Sequence, residues 1–147
     1  MKTADSVLQL IGNTPLVKLN KVASGLKAEI WVKAEYLNPT GSTKDRVALR
    51  MITDAERQGL LKPGYTIVES STGNTGTSLS FIGTLKGYKV VIYETTPGKM
   101  GQEKKNLMIG YGAEVRTISP KEYEDMRSGE PGVEIELPGR RICLALE

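Results

Sequence analysis

The chain contains no histidine and a single cysteine, Cys143. The first absence excludes Ser-His-Asp and Cys-His nucleophilic catalysis, histidine general bases and histidine metal ligands. The second excludes an internal disulfide and a cysteine-based zinc cluster, and it suits a reducing, cytoplasmic setting. The apolar neighbours of Cys143 favour buried filler over a nucleophile. Aromatics are scarce, with one Trp and one Phe, so Trp31 and Phe81 are expected in the core rather than on a ligand platform. No signal-peptide core opens the sequence, and no apolar run approaches a membrane span. There is no G-x-G-x-x-G, no G-x-S-x-G, and no complete P-loop around Thr96-Pro97-Gly98-Lys99-Met100.

Charge is uneven. Residues 1–120 carry 16 Lys/Arg against 10 Asp/Glu, whereas residues 121–147 carry 4 against 7. No basic run is interleaved with aromatics, so the basic part points to small anionic ligands rather than nucleic acid. The acids Glu122, Glu124 and Asp125 read as a solvated face.

Glycine, in contrast, is plentiful, with 16 residues, as befits many tight strand–helix turns. Leu16, Val17 and Leu19 suggest a short strand, and Glu29–Glu35 a second with Ile30 and Val32 on one face. Val47, Met51, Ile52 and Ala55 recur at helical spacing and predict a helix from Thr43 to Gln58, stopped by Gly59. Thr66–Glu69 reads as a buried strand. Helix then follows from Thr75 to Lys86 with Leu79, Ile82 and Leu85 inward, strand from Lys89 to Tyr93, helix from Gly101 to Gly110 and strand from Glu114 to Ile118. A further strand or helix start is expected near Ile142–Leu146. Strands alternating with crossover-length helices predict an α/β fold, a parallel sheet flanked by helices.

Two segments could carry chemistry. In the first, Asn38-Pro39-Thr40-Gly41-Ser42-Thr43-Lys44-Asp45-Arg46, Ser42 suits an N-cap and Asp45 stands where a capping box wants an acid. Lys44 then falls in the first helical turn. The positive end of the helix dipole disfavours a cation there, and a neutral amine is what a Schiff-base nucleophile needs. Taken alone, a solvated lysine that happens to start a helix is the commoner case. The second segment, Ser70-Ser71-Thr72-Gly73-Asn74-Thr75-Gly76, joins a buried strand to a helix. Its hydroxyls and helix-start N–H groups offer an anion site at the carboxyl end of a parallel strand. With no Lys or Arg in the loop, a carboxylate suits it as well as a phosphate. The run of small polar residues exceeds what a plain N-cap requires.

Four stretches together resemble the cysteine synthase/cystathionine β-synthase family of pyridoxal-phosphate enzymes. They are Ile11-Gly12-Asn13-Thr14-Pro15-Leu16-Val17, the block from Lys33 to Arg46, Ser71-Thr72-Gly73-Asn74-Thr75-Gly76, and the block from Lys104 to Glu114. The resemblance implies a tryptophan-synthase-β type of fold with a large and a small α/β domain and pyridoxal 5′-phosphate between them. Lys44 matches the lysine that holds the cofactor covalently and then moves the substrate Cα proton. Asn74 matches the asparagine that hydrogen-bonds the cofactor's ring hydroxyl. Ser71, Thr72, Gly73, Asn74 and Thr75 match the loop that grips the substrate carboxylate. The family more often has Thr-Ser where this chain has Ser71-Thr72, and an aliphatic residue at Thr43. No metal is implied.

The implied reaction is β-replacement on O-acetylserine or O-phosphoserine with sulfide, giving cysteine, or condensation of serine with homocysteine. A serine/threonine dehydratase on the same fold, and a non-catalytic chain with an interaction role, are the alternatives. Partners implied are amino acid and sulfide or thiol, with a homodimer where the full fold is present, and neither nucleic acid nor membrane. The family's phosphate-binding glycine/threonine loop and its Ser/Thr facing the pyridine nitrogen have no match in these residues. The expected organisation is therefore residues 1–42 as a starting piece of the large domain, residues 43–120 as the small domain, and residues 121–147 as a divergent or truncated tail.

Overall fold

Apolar runs broken by glycine turns build two separate sheets. The structure is a computed structural model that describes residues 3–94, 98, 100–119, 121–122 and, as backbone, 141–143. After a short 3-10 turn at Val7–Leu10, β1 (Leu16–Lys18) pairs antiparallel with β2 (Trp31–Lys33), Val17 opposite Val32. A second 3-10 turn, Glu35–Leu37, leads into α1 (Lys44–Arg57). Then follow β3 (Thr66–Ser70), α2 (Asn74–Leu85), β4 (Lys89–Glu94), α3 (Gln102–Gly110), β5 (Glu114–Thr117) and β6 (Arg141–Cys143).

Strands β3 to β6 form one parallel sheet in the order β5-β4-β3-β6. Parallel strands are buried on their faces, which is why Val90–Tyr93 of β4 is a continuous apolar run and Ile67 and Val68 of β3 are apolar in succession. Ile67, Val90 and Ile92 face the helices and pack with Ala48, Ile52 and Ala55 of α1, Leu79 and Ile82 of α2, and Met108 of α3. Each fully buried Val, Leu, Ile or Met side chain among these contributes about 1.5–3 kcal/mol. Val68, Val91, Tyr93 and Ile118 cluster on the opposite face. α2 lies close to the sheet because Gly83 has no side chain; a Cβ there would stand 2.7 Å from Val90 Cγ2 and 3.0 Å from Ile67 Cδ1.

The expected α/β order and the parallel sheet are present, and strand β6 opens one residue before the expected Ile142–Leu146 segment; residues 144–146 lie outside the described residues. The inward faces differ in detail. In α1 the buried stripe is Asp45, Ala48, Ile52 and Ala55, while Val47 and Met51 are half-buried. Leu85 is 49% exposed: two residues past Gly83, which abuts the sheet, it lies on the opposite side of the helix. Trp31, expected in the core, is 52% exposed. A two-stranded ribbon has no interior of its own, and among the described residues nothing covers this one. The ring instead meets Lys18 Nζ, 5.9 Å from its centroid. Phe81 is half-buried and packs against Tyr111, ring centroids 5.1 Å apart. Glu124, Asp125 and the side chain of Cys143 lie outside the described residues. No helix among the described residues is long and apolar enough to cross a membrane.

Candidate active site

Lys44 is the first residue of α1 and is half-buried. Among the described residues no hydrogen bond or ion pair engages its Nζ. The residue that precedes the helix is Thr43, which makes no side-chain cap bond; the expected cap Ser42 stands one position earlier, its Oγ accepting the Lys44 N–H at 3.1 Å. The rest of the capping box is replaced by something else. Asp45 does not turn back to Ser42; its carboxylate accepts the Thr40 N–H (2.8 Å), the Thr40 hydroxyl, and the Ser78 hydroxyl (2.6 Å). Asp45 and Ser78 are both fully buried. A buried acceptor on one helix and a buried donor on the next satisfy each other more cheaply than either could alone.

This contact places the first turn of α1 against α2, one turn beyond the start of α2. The loop that opens α2 is built around Ser71. Its N–H donates to the Tyr93 carbonyl (3.2 Å), tying the loop to β4. Its Oγ accepts the Gly76 N–H at 3.0 Å and the Gly73 N–H at 3.3 Å. The N–H groups of Asn74 and Thr75 are left without intrahelical acceptors, as in any first turn. Thr72 and Asn74 are exposed, and Gly73 and Thr75 half-buried. Gly76 admits this arrangement because a Cβ would stand 3.0 Å from both Ser71 Cβ and Met108 Cε. The structure thus brings the Lys44 helix start and the Ser71–Thr75 loop to neighbouring helix ends.

Three further features escaped the sequence reading. The first joins the Gly12-Asn13-Thr14 turn to α1. Arg46 bonds Glu35 through two nitrogens, and its Nη2 also donates to Thr14 Oγ1 (3.0 Å). Thr14 Oγ1 donates to Glu35 at 2.6 Å, and the Gly12 N–H donates to Asn38 Oδ1 at 2.8 Å. The Arg46 guanidinium holds the Glu35 carboxyl well below the usual carboxylate range, with the Thr14 hydroxyl and Asn38 amide helping against partial burial. Gly12 has φ +89°, and an added Cβ would fall 2.8 Å from Arg46 Nη1. The Gly12-Asn13-Thr14-Pro15 turn sequence was the available signal.

The second is Glu69, 7% exposed, on the helix-covered face of β3 beside Ile92, one residue from the loop. Its Oε2 has no hydrogen-bond partner. Burial pushes its carboxyl up to about 7, against one bond from the Ser70 backbone. An acid inside a buried strand run was visible in the sequence but drew no reading. The third is Glu94 at the end of β4, which accepts the N–H groups of Gly98 and Met100 and the Thr117 hydroxyl. Burial would raise its carboxyl, but these donors outweigh it and hold it low. Among the described residues no group of Cys, Asp and Glu is placed to hold a metal ion.

The model of the pyridoxal-phosphate dependent enzymes matches residues 7–135. This chain belongs to that family. It is 53% identical over 114 residues to the cysteine synthase of Staphylococcus aureus strain N315, covering 78% of this chain and 36% of that one. To the cystathionine beta-synthase of Apis mellifera it is 48% identical over 116 residues, covering 78% and 23%. The crystal structure of the Entamoeba histolytica cysteine synthase superposes with a TM-score of 0.82 at 34% identity, covering 97% of this chain and 43% of that one. The chain is therefore a cysteine synthase-like member of the pyridoxal-phosphate family that spans about a third of the length of its bacterial relative.

Proposed function

We propose that this chain takes part in pyridoxal-phosphate-dependent β-replacement. An O-activated serine, O-acetylserine or O-phosphoserine, would react with sulfide to give cysteine, or serine would condense with homocysteine. The observation that carries this reading is the packing of the Lys44 helix start against α2, whose own start is the hydroxyl-rich Ser71–Thr75 loop. The donor set fits the reactive end of the cofactor. Lys44 offers an amine with no competing partner among the described residues, and Asn74 an exposed side-chain amide for the ring hydroxyl. Thr72, Thr75 and the N–H groups of the α2 first turn suit a carboxylate. When bound, pyridoxal phosphate supplies an electron sink that eases loss of the Cα proton. Lys44 Nζ takes that proton, and the Ser71–Thr75 loop orients the substrate by its carboxylate. The reading extends to residues 1–42 as part of a larger domain, 43–120 as the small domain and 121–147 as the remaining tail, in a cytoplasmic protein.

The test is borohydride reduction of the chain with pyridoxal phosphate, then peptide mapping. A label on Lys44 is expected; a label confined to another lysine, such as Lys33, refutes the assignment. Turnover with and without sulfide separates replacement from dehydration, because release of a 2-oxoacid without thiol incorporation marks a dehydratase. One observation favours a second, non-catalytic reading. Leu16, Val17, Trp31 and Val32 of the ribbon are all exposed, an apolar surface suited to a partner. A colourless chain that elutes only as an aggregate on gel filtration would support that reading.

A further inference from the structure

We propose that Asp45 and Ser78 are positioning residues that fix the spacing between Lys44 and the substrate loop. This rests on the assignment of Lys44 and Asn74 made above. Asp45 directly follows Lys44 in the first turn of α1. Ser78 is four residues beyond Asn74, so the two stack on one face of α2. The Ser78 hydroxyl donates to Asp45 Oδ1 at 2.6 Å. It is thus a short, buried link between the backbone that carries Lys44 and the helix that begins with Asn74.

The same carboxylate holds the approach to Lys44. Asp45 Oδ2 accepts the Thr40 N–H, and Oδ1 the Thr40 hydroxyl, so the Thr40–Thr43 turn is tied to the same node. Thr40 Oγ1 also lies 3.3 Å from Ser78 Oγ. The three polar groups close on one another with no cation among their partners in the described residues. An arrangement of short neutral donors around a buried carboxylate has little slack, because each lost bond leaves an acceptor unsatisfied away from water. A solvated helix cap would tolerate movement of α1 against α2; this node does not. Covalent capture of a carbonyl by Lys44 needs the amine held near a carbonyl fixed from the other helix, and such geometry is sensitive to small displacements.

Ser78→Ala removes the link and leaves Asp45 with Thr40 as its side-chain partner among the described residues; Ser78→Thr restores a hydroxyl. Hydrogen exchange of the whole chain reads the coupling without any cofactor. In Ser78→Ala, amides of residues 45–48 and 72–76 are expected to exchange severalfold faster together, with β4 and β5 unchanged and Ser78→Thr close to wild type. Capture of pyridoxal phosphate at Lys44 by borohydride is expected to slow about tenfold, the scale of one lost buried hydrogen bond to a charged group. Faster exchange confined to α2, or no change in either segment, overturns the coupling. Faster exchange with unaltered capture overturns the positioning role. If the wild-type chain captures nothing at Lys44, the functional reading fails, while the exchange experiment still decides the coupling.

Discussion

Arg46 meets Glu35 as a two-pronged fork, Nε to Oε2 and Nη2 to Oε1, each at 2.9 Å. Bidentate pairing of this kind fixes direction as well as distance. Because Arg46 is two residues beyond Lys44 and Thr14 shares the same carboxylate, the pair fastens the Gly12–Thr14 turn to the first turn of α1.

The pair has a definite pH signature. The Glu35 carboxyl lies below its unfolded value of 4.5. A depressed folded value contributes stability above the unfolded value and loses it as pH falls towards the folded one. Glu35→Gln is therefore expected to melt below wild type by a constant margin above pH ~5, a margin that narrows on acidification. Thermal melts from pH 7 down to the acid limit of folding check this. A margin that is flat across the whole range would count against the pair.

Glu69 carries the opposite sign. Its carboxyl is raised to about 7 by burial, with Oε2 unpaired. The native chain therefore holds a proton that the unfolded chain has released between pH 4.5 and about 7, and stability falls as pH rises through that window. The whole effect is at most about 3 kcal/mol, from roughly 1.4 kcal/mol per unit. Glu69→Gln is expected to flatten the profile, its melting temperature gaining on wild type from pH 5 to 8 and levelling off beyond, on the same linkage argument. Parallel profiles for the two proteins would show that Glu69 finds solvent or a donor in the folded chain.

The contrast between these two acids explains what was readable in the sequence. Periodicity located α1, β3, α2, β4, α3 and β5 because burial on a helix stripe or a parallel strand forces apolar residues into those positions. Residue chemistry marked the Ser71–Thr75 loop, whose run of small polar residues exceeds what a plain cap needs, whereas Lys44 stood out through the family resemblance. What none of these could supply was the third dimension. Asp45 looked like half of a capping box, and only the crossing of α1 over α2 gives it Ser78, 33 residues away. Glu35 and Thr14 stood in two separate family-matching stretches, and only the fold brings Arg46 to both. Trp31 was misplaced because aromatic character predicts burial only where a second layer exists to bury it.

Gly83 offers a prediction in which two effects compete. Alanine would gain about 1 kcal/mol of helix propensity. Its Cβ, however, would press on Val90 Cγ2 at 2.7 Å and Ile67 Cδ1 at 3.0 Å, both on buried strand residues with no room to retreat. Overpacking of this kind costs about 1–3 kcal/mol, so Gly83→Ala is expected to lower stability by up to about 2 kcal/mol. Gly110→Ala, also helical but with nothing within 4 Å of an added Cβ, serves as the uncrowded control and is expected to be at least as stable as wild type. Urea unfolding of both variants decides it, and a stabilised Gly83→Ala would mean that α2 can lift from the sheet without loss.

Gly76 separates stability from site geometry. An added Cβ would stand 3.0 Å from Met108 Cε, the far end of a flexible side chain that can swing away. It would stand equally close to Ser71 Cβ, which is held at the end of β3 by the bond from its N–H to Tyr93 and has less freedom. The loop, not the core, should therefore yield. Gly76→Ala is expected to lose no more than about 1 kcal/mol, since the helix propensity of alanine offsets the crowding. Displacing Ser71 disturbs the N–H groups of Gly73 and Gly76 that its hydroxyl organises, and with them the carboxylate end of the proposed site. In the reconstituted chain, the serine concentration that half-saturates the visible spectral change should rise severalfold, while borohydride capture at Lys44 keeps its wild-type rate. Equal losses in both would place the damage in the fold, and unchanged serine binding would remove Ser71 from the carboxylate site.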